Sequence, residues 1–442
     1  MGLGLAHYIP FLAYLACWVM CLVSLTGRPL LGFYLLVPML PYRTLRDHFL
    51  EYPLGASIVT ALLGSIILGA FFKGKRPPKT SLYAVWFLLA SYLYLSLWFG
   101  VLVSDAPTPI WLHDINFVTW KDYLFIPLTF LAAGMVIDDR KTIRNVLILT
   151  ALTILIIDRS ALMGILSHSL LHFDESKRDG GPLGFAGSNG LAAFLAQFAM
   201  FIWGLATCIR SKKYRLLGYA TVGLTLFTTM YTFSRASYIA VVVGAFLLGV
   251  IKNRKLLIVV FAFLLTWQTV VPTSVTERIN MTENSHGQLE SSSESRLQLW
   301  NEALEMFQSD PIFGIGYGSY QLRTHLGNLR DTHNWFVKVL VETGIVGMLI
   351  SLLLLWRMLV TSLRLFRRAE DPMYQGLGLG LFLLTCCSII LNMFGERWTY
   401  LEINGLTWVL FGAAARALNL IALPTEAEPK VIEAQVAQPA YL

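Results

Sequence analysis

Basic side chains stranded between apolar runs are the first candidates for chemistry in this 442-residue chain. Arg178 sits in KRDGGPLGFAGSNG and Arg235 in FTTMYTFSRASYIA, while Arg296 and His333 fall in the long polar interval 291–347. A guanidinium can grip phosphate oxygens through two parallel hydrogen bonds, and an imidazole titrates near neutrality. A charge next to hydrocarbon is costly without a partner or a ligand. Together these residues suggest a site for anionic groups. Each also has a plainer reading: Arg235 snorkelling to headgroups, Arg296 exposed on a surface helix, His333 and Asn334 forming a helix cap. Arg178 could be solvated beside Asp174, Glu175 and Asp179, and Arg323, His325 and Arg330 read as loop charges. Asp158-Arg159 reads as an internal salt bridge or a helix end, and Glu396-Arg397 could line an outer cavity on position alone. There is no Asp-x-Asp pair and no Gly-rich phosphate loop followed by Lys. Neutralising a phosphate leaving group would then fall to arginines rather than Mg²⁺.

What positions these residues follows from composition. The chain is 56% hydrophobic and only 14% charged, against about 25% charged in a soluble domain. With a mean hydropathy of +0.61, it reads as an all-α polytopic membrane protein. The net charge of +7 lies in short loops, where Lys and Arg set orientation, and is no nucleic-acid footprint. Cys17, Cys21, Cys208, Cys386 and Cys387 fall in or at the ends of apolar runs and read as small core residues. The first run lacks a small-residue cleavage site and is expected to be a retained span.

Twelve runs are candidates for crossing a membrane: 8–26, 54–72, 82–103, 121–137, 145–166, 189–209, 216–233, 237–251, 256–271, 345–363, 374–393 and 403–421. A shorter run, 29–41, carries Pro29, Pro38 and Pro41 and is expected to be a half-helix or re-entrant piece. Basic clusters at 73–79, 140–144, 210–215, 252–255 and 364–368 mark cytoplasmic loops. Segments 104–119, 167–187, 234–236, 272–344 and 394–402 then lie outside. The domain organisation is 1–271 transmembrane, 272–344 a large periplasmic loop with amphipathic helices, 345–423 transmembrane, and 424–442 a disordered cytoplasmic tail. Within the loop, Ser291 and Glu294 have capping-box spacing, and Leu297, Trp300, Leu304 and Phe307 recur at helical intervals. Gly314, Gly316 and Gly318 suit a close backbone approach. A second helix is expected from about His333 to Glu342, with His333 in its first turn, where the positive helix end favours an anion.

Four segments together resemble the O-antigen ligase/polymerase superfamily of bacterial membrane glycosyltransferases. They are Arg178…Gly184…Asn189, then Phe233-Ser234-Arg235, then Arg296 with Trp300, Pro311, Gly314 and Gly316, and finally His333-Asn334 ahead of Glu342, Gly344 and Gly347. The resemblance covers roughly 175–350. It implies a GT-C-like fold with about 12 transmembrane helices in the bacterial inner membrane. It further implies transfer of a glycan from undecaprenyl diphosphate to an acceptor hydroxyl at the periplasmic face, inverting, metal-independent and without a cofactor. The acceptor would be a lipid A-core sugar in a ligase, a repeat unit in a polymerase, or a protein Ser/Thr in an O-oligosaccharyltransferase. On this resemblance Arg178, Arg235 and Arg296 bind the diphosphate, and Arg235 also stabilises its developing charge. His333 acts on the acceptor hydroxyl or holds the diphosphate, and Asn189 and Asn334 position their neighbours. A transporter of lipid-linked sugars, or a scaffold in polysaccharide export, would use the same basic face for binding alone; no paired pseudo-repeats are visible.

Overall fold

In lipid every backbone N–H and C=O must find a partner within the protein, so apolar runs of this length become helices. A computed structural model of the chain describes residues 8–111, 114–167, 169–178, 180–181, 183–281, 291–323 and 331–422, and among them there is no strand. The amino-terminal helices are α1 (Ile9–Leu25), α2 (Pro29–Met39), α3 (Arg43–His48), α4 (Ile58–Phe72), α5 (Ser81–Ser104), α6 (Ile115–Val136) and α7 (Arg140–Leu166). The middle of the chain forms α8 (Gly187–Cys208), α9 (Lys212–Met230), α10 (Arg235–Ile251), α11 (Lys255–Val270) and α12 (Thr273–Asn280). Then follow α13 (Ser291–Ser309), α14 (Tyr320–Arg323), α15 (Trp335–Arg368), α16 (Pro372–Met393) and α17 (Leu401–Ala422).

Among the described residues, seven helices are long and apolar enough to cross a membrane: Gly55–Phe72, α5, α7, α8, α15, α16 and α17. The count becomes eight if α11 and α12, bent by 101°, form one span. The twelve expected runs are all helical, but α1, α10 and α11 fall short in length, and α6 and α9 are long enough without being apolar enough. The 29–41 run is the short helix α2, packed against α1 and α4 with Phe33, Leu36 and Val37 buried. The tail 424–442, with His325 and Arg330, lies outside the described residues.

Residues 191–202 of α8 are buried all round, as expected of a helix with no polar face. It packs on α16 at a backbone-close crossing. A Cβ added to Gly204 would lie 2.8 Å from the Gly380 Cα, so the small residues there set the helix spacing. The partner of α16 on its other side is α15.

One end of the bundle is tied together by charge. Lys75 pairs with Asp138 and Arg140 with Asp371. Arg416 donates to the carbonyls of Gly134 (2.7 Å) and Arg76 (3.1 Å). These contacts gather segments that the sequence assigned to a common side. At the other end α13 and the 311–318 turn dock on α15 and α5. Gly316 N–H donates to Glu342 O (2.9 Å), Ile315 N–H to Val341 O (3.0 Å) and Tyr92 Oη–H to Thr343 O (2.7 Å). Gly314, Gly316 and Gly318 all have positive φ, as the close approach requires.

One sequence expectation changes here, the internal salt bridge between Asp158 and Arg159. On α13, Ala303 packs with Ile315, Tyr320 and Val341, Phe307 lies against that cluster, and Leu299 is buried with its carbonyl accepting from Tyr320 Oη–H (3.4 Å), whereas Leu297 and Leu304 are exposed. Docking on α15 decides that face, which a helical period cannot anticipate. The side chains of 291–295, including the expected capping box, lie outside the described residues. Asp158 makes no ion pair with Arg159: adjacent helix positions point apart, so Asp158 is buried and accepts from Thr225 Oγ1 (2.6 Å) while Arg159 is exposed. The helix opening at Trp335 ends at Gly344, as its sequence suggests: non-helical φ/ψ there divides α15 into two helices, the second running to Arg368.

Gly344 has φ 64° and ψ −169°, and a Cβ on it would fall 2.2 Å from Ile312 O. Gly344→Ala is therefore expected to cost about 1–3 kcal/mol, read as a lower thermal unfolding midpoint in detergent. Gly64→Ala, with nothing within 4 Å of the new Cβ, should not lower it. Equal midpoints for the two variants would mean that the bend is not held by that contact.

Candidate active site

The α9–α10 connection is so short that its geometry is set residue by residue. Phe233 takes a left-handed φ of 56°, uncommon for a bulky residue, and its ring packs edge-on to Phe173 and Tyr231. Tyr238 Oη–H donates to Met230 O (2.5 Å), clasping the turn from the far side. Ser234 occupies the cap position and Arg235 the first turn of α10. That helix end presents backbone N–H groups and partial positive charge beside the guanidinium, a combination that suits an anion.

Arg178 follows a short turn, Glu175–Lys177, in the connection between α7 and α8. It pairs with Glu175 and donates from Nη2 to Asn189 Oδ1 (3.1 Å), in the first turn of α8. Asn189 is thus a clamp on Arg178. Arg278, on α12, is buried, with its guanidinium 5.2 Å from the centre of the Phe173 ring. Glu277 beside it accepts from Phe173 N–H (2.8 Å) and holds His172 Nδ1 (3.0 Å), fastening this loop to α12.

Arg296 lies on α13, one turn before Trp300, whose Nε1–H donates to Thr332 O (2.8 Å). Arg397 lies between α16 and α17; its N–H donates to Asn392 Oδ1 (2.9 Å), and Asn404 Nδ2–H donates to its carbonyl (2.7 Å). Burial pushes Arg397 below the usual guanidinium range; Tyr400 and Asp331 oppose this, and Arg296 adds to it.

These five arginines meet. Arg178, Arg235, Arg278, Arg296 and Arg397 line one cavity of about 390 Å³ together with Asn189, Ser234 and, among the described residues, a single carboxylate, Glu175. So many cations in so small a space raise its potential and favour a multiply charged anion. Three were singled out in the sequence as Arg178, Arg235 and Arg296. Arg397 was noted there by position only. Arg278 was missed, because nothing local separates it from a solvated loop charge.

His333 and Asn334 are not among the residues lining this cavity. His333 precedes the first turn of α15 instead of occupying it; Asn334 is the cap, accepting from Phe336 and Val337 N–H (3.0 and 3.3 Å). The cap fixes His333 in a left-handed φ of 52°. Burial lowers its imidazole below the ordinary value, Asp331 opposes this, and Arg296 and Arg397 add to it. The ring is thus electrostatically joined to two of the cavity's arginines. Arg323 is partly buried with Nη1 lacking a hydrogen bond. Among the described residues, no group of three or more His, Cys, Asp or Glu is placed to hold a metal ion.

Residues 220–352 match the family model described as O-antigen ligase. The match covers less than half of the chain and makes that stretch similar to the O-antigen ligase family. It supports the O-antigen ligase/polymerase superfamily and, in general, activity of that type. A comparison with curated proteins finds no match. The matched stretch contains Arg235, Arg278, Arg296, His333 and Asn334, whereas Arg178, Asn189 and Arg397 reach the cavity from outside it.

Inorganic pyrophosphate is expected to raise the unfolding midpoint of the purified protein, since a ligand at 100 times its Kd stabilises by about 2.7 kcal/mol. Arg235→Gln with Arg397→Gln should remove most of that shift, each charge-assisted bond being worth roughly 1.5–3 kcal/mol. An undiminished shift in the double variant would place the pyrophosphate elsewhere.

Proposed function

We propose that the protein is a glycosyltransferase moving a glycan from undecaprenyl diphosphate to an acceptor hydroxyl, most specifically a lipid A-core sugar, at the periplasmic face of the inner membrane. The observation that carries this reading is the joining of two unlike spaces. The arginine cavity shares Ile239 with an apolar groove of about 530 Å³ lined by α8–α12, including Trp203, Phe263, Trp267 and Val271. A doubly charged head beside a long hydrocarbon tail is the chemistry of a lipid diphosphate, and each half has a space that suits it. The ligase-family match supplies the reaction class.

In the proposed step the acceptor oxygen attacks the anomeric carbon from the face opposite the diphosphate. The carbon–oxygen bond to phosphate breaks, and the leaving oxygen takes the electron pair. Charge grows on that oxygen as the bond lengthens, so guanidinium groups fixed in advance stabilise the transition state more than the ground state. His333 accepts the hydroxyl proton; an imidazole kept neutral by burial and by two neighbouring cations is in the right state to do so. Arg178 and Arg296 hold the diphosphate, Arg235 adds the end of α10, and Asn189 holds Arg178.

Arg235→Ala and His333→Ala are each expected to reduce transfer by on the order of 100-fold or more with unchanged membrane insertion. The measurement is complementation of a host lacking the gene, with surface polysaccharide run on a gel. Loss of long chains attached to lipid, with polymer retained on its lipid carrier, supports the ligase reading. Accumulation of single repeat units would replace it with a polymerase, and near-normal profiles in both variants would remove the enzymatic reading altogether.

A further inference from the structure

We infer that Asp331 is a positioning residue that orients His333, and that its carboxylate sets which ring nitrogen faces the substrate. The inference rests on the proposed role of His333 and goes beyond it.

The carboxylate meets His333 twice. Oδ1 accepts the His333 backbone N–H (3.1 Å), and Oδ2 lies 3.5 Å from the ring Nδ1. The first contact holds the backbone of a residue whose left-handed φ is otherwise unfavourable. The second is long for a hydrogen bond, as contacts that tighten only with substrate often are. With Nδ1 turned to a carboxylate, the neutral ring carries its proton there and leaves the Nε2 lone pair for an incoming hydroxyl.

The surroundings of this pair are unusually well tied down. Thr332 O accepts from Trp300 on α13, Thr332 Oγ1–H donates to Asn334 O (2.8 Å), and Asn334 caps α15. Behind Asp331, Lys338 Nζ donates to Glu396 Oε2 (2.6 Å), and Thr399 donates to Glu396 Oε1 (2.8 Å). Asp331 feels Glu396 and Lys338 with opposite sign, so neither alone dictates its charge; burial pushes its pKa up. Among the described residues, the charged groups facing His333 are Asp331 from its own loop, Arg296 from α13 and Arg397 from the α16–α17 connection. Asp331 is the one of the three that favours the protonated ring. Its removal should therefore make the imidazole harder to protonate.

The test uses the full-length protein in detergent. The rate of carbethoxylation of His333 by diethyl pyrocarbonate is followed against pH by peptide mass spectrometry, which separates it from the other histidines. Asp331→Asn should move the midpoint to lower pH and Arg296→Gln to higher pH. In membranes containing the glycan on undecaprenyl diphosphate, Asp331→Asn should also cut transfer by roughly 10- to 100-fold, with Asp331→Glu recovering part of it. A merely structural residue would cut transfer without moving the midpoint, and that result overturns the inference. So does wild-type transfer in Asp331→Asn while His333→Ala is inactive. If His333→Ala is itself active, it is the proposed function that fails, and the midpoint shift still reports whether Asp331 governs the ring.

Discussion

Mutual repulsion among guanidinium groups is the constraint around which this molecule is built. Five arginines border a space of about 390 Å³ that holds, among the described residues, one carboxylate, and like charges at such range work against the folded state. Four of them have an anchor besides charge. Arg235 is fixed by a clasped turn, Arg397 through its backbone between two asparagines, Arg278 by burial against Phe173, and Arg178 by Asn189. The fold thus holds in place an electrostatic arrangement that a polyanion would relieve.

The helices explain how that arrangement is reached. The connections α7–α8, α9–α10 and α16–α17, together with α12 and α13, deliver one arginine apiece to a common end of the bundle. The opposite end is drawn together by Lys75–Asp138, Arg140–Asp371 and the Arg416 contacts. Tight crossings such as Gly204 against Gly380 leave little freedom between these ends. Precision at the site therefore comes from packing well inside the bundle.

Much of this was legible in the sequence and some was not. Apolar runs gave the helices, because hydrocarbon leaves the backbone no other solution. Arg235 stood out because it sits between two closely spaced runs, and Arg178 and Arg296 because they lie in the polar segments that separate such runs. Arg278 did not, since its value comes from the 101° bend between α11 and α12, a tertiary feature. On α13 the spacing of Leu297 and Leu304 marks a helix, while docking on α15 decides that Leu299 and Ala303 are buried. Asp158-Arg159 suggested a pair by adjacency, whereas Thr225 on the neighbouring helix is the partner. Local pattern reveals an element; the neighbour it packs against decides what that element does.

The way each arginine is moored also separates the site into unlike parts. Arg235 is set by main-chain geometry at a helix start, in a turn clasped by Tyr238. Arg178 hangs from an irregular connection and is held by one amide and one exposed carboxylate. Drift in the surrounding sequence would therefore reshape the 169–187 side of the cavity long before it touched the α10 side. Variation in which glycan is handled has an inexpensive route through that connection, while the grip on the charged head stays as it is.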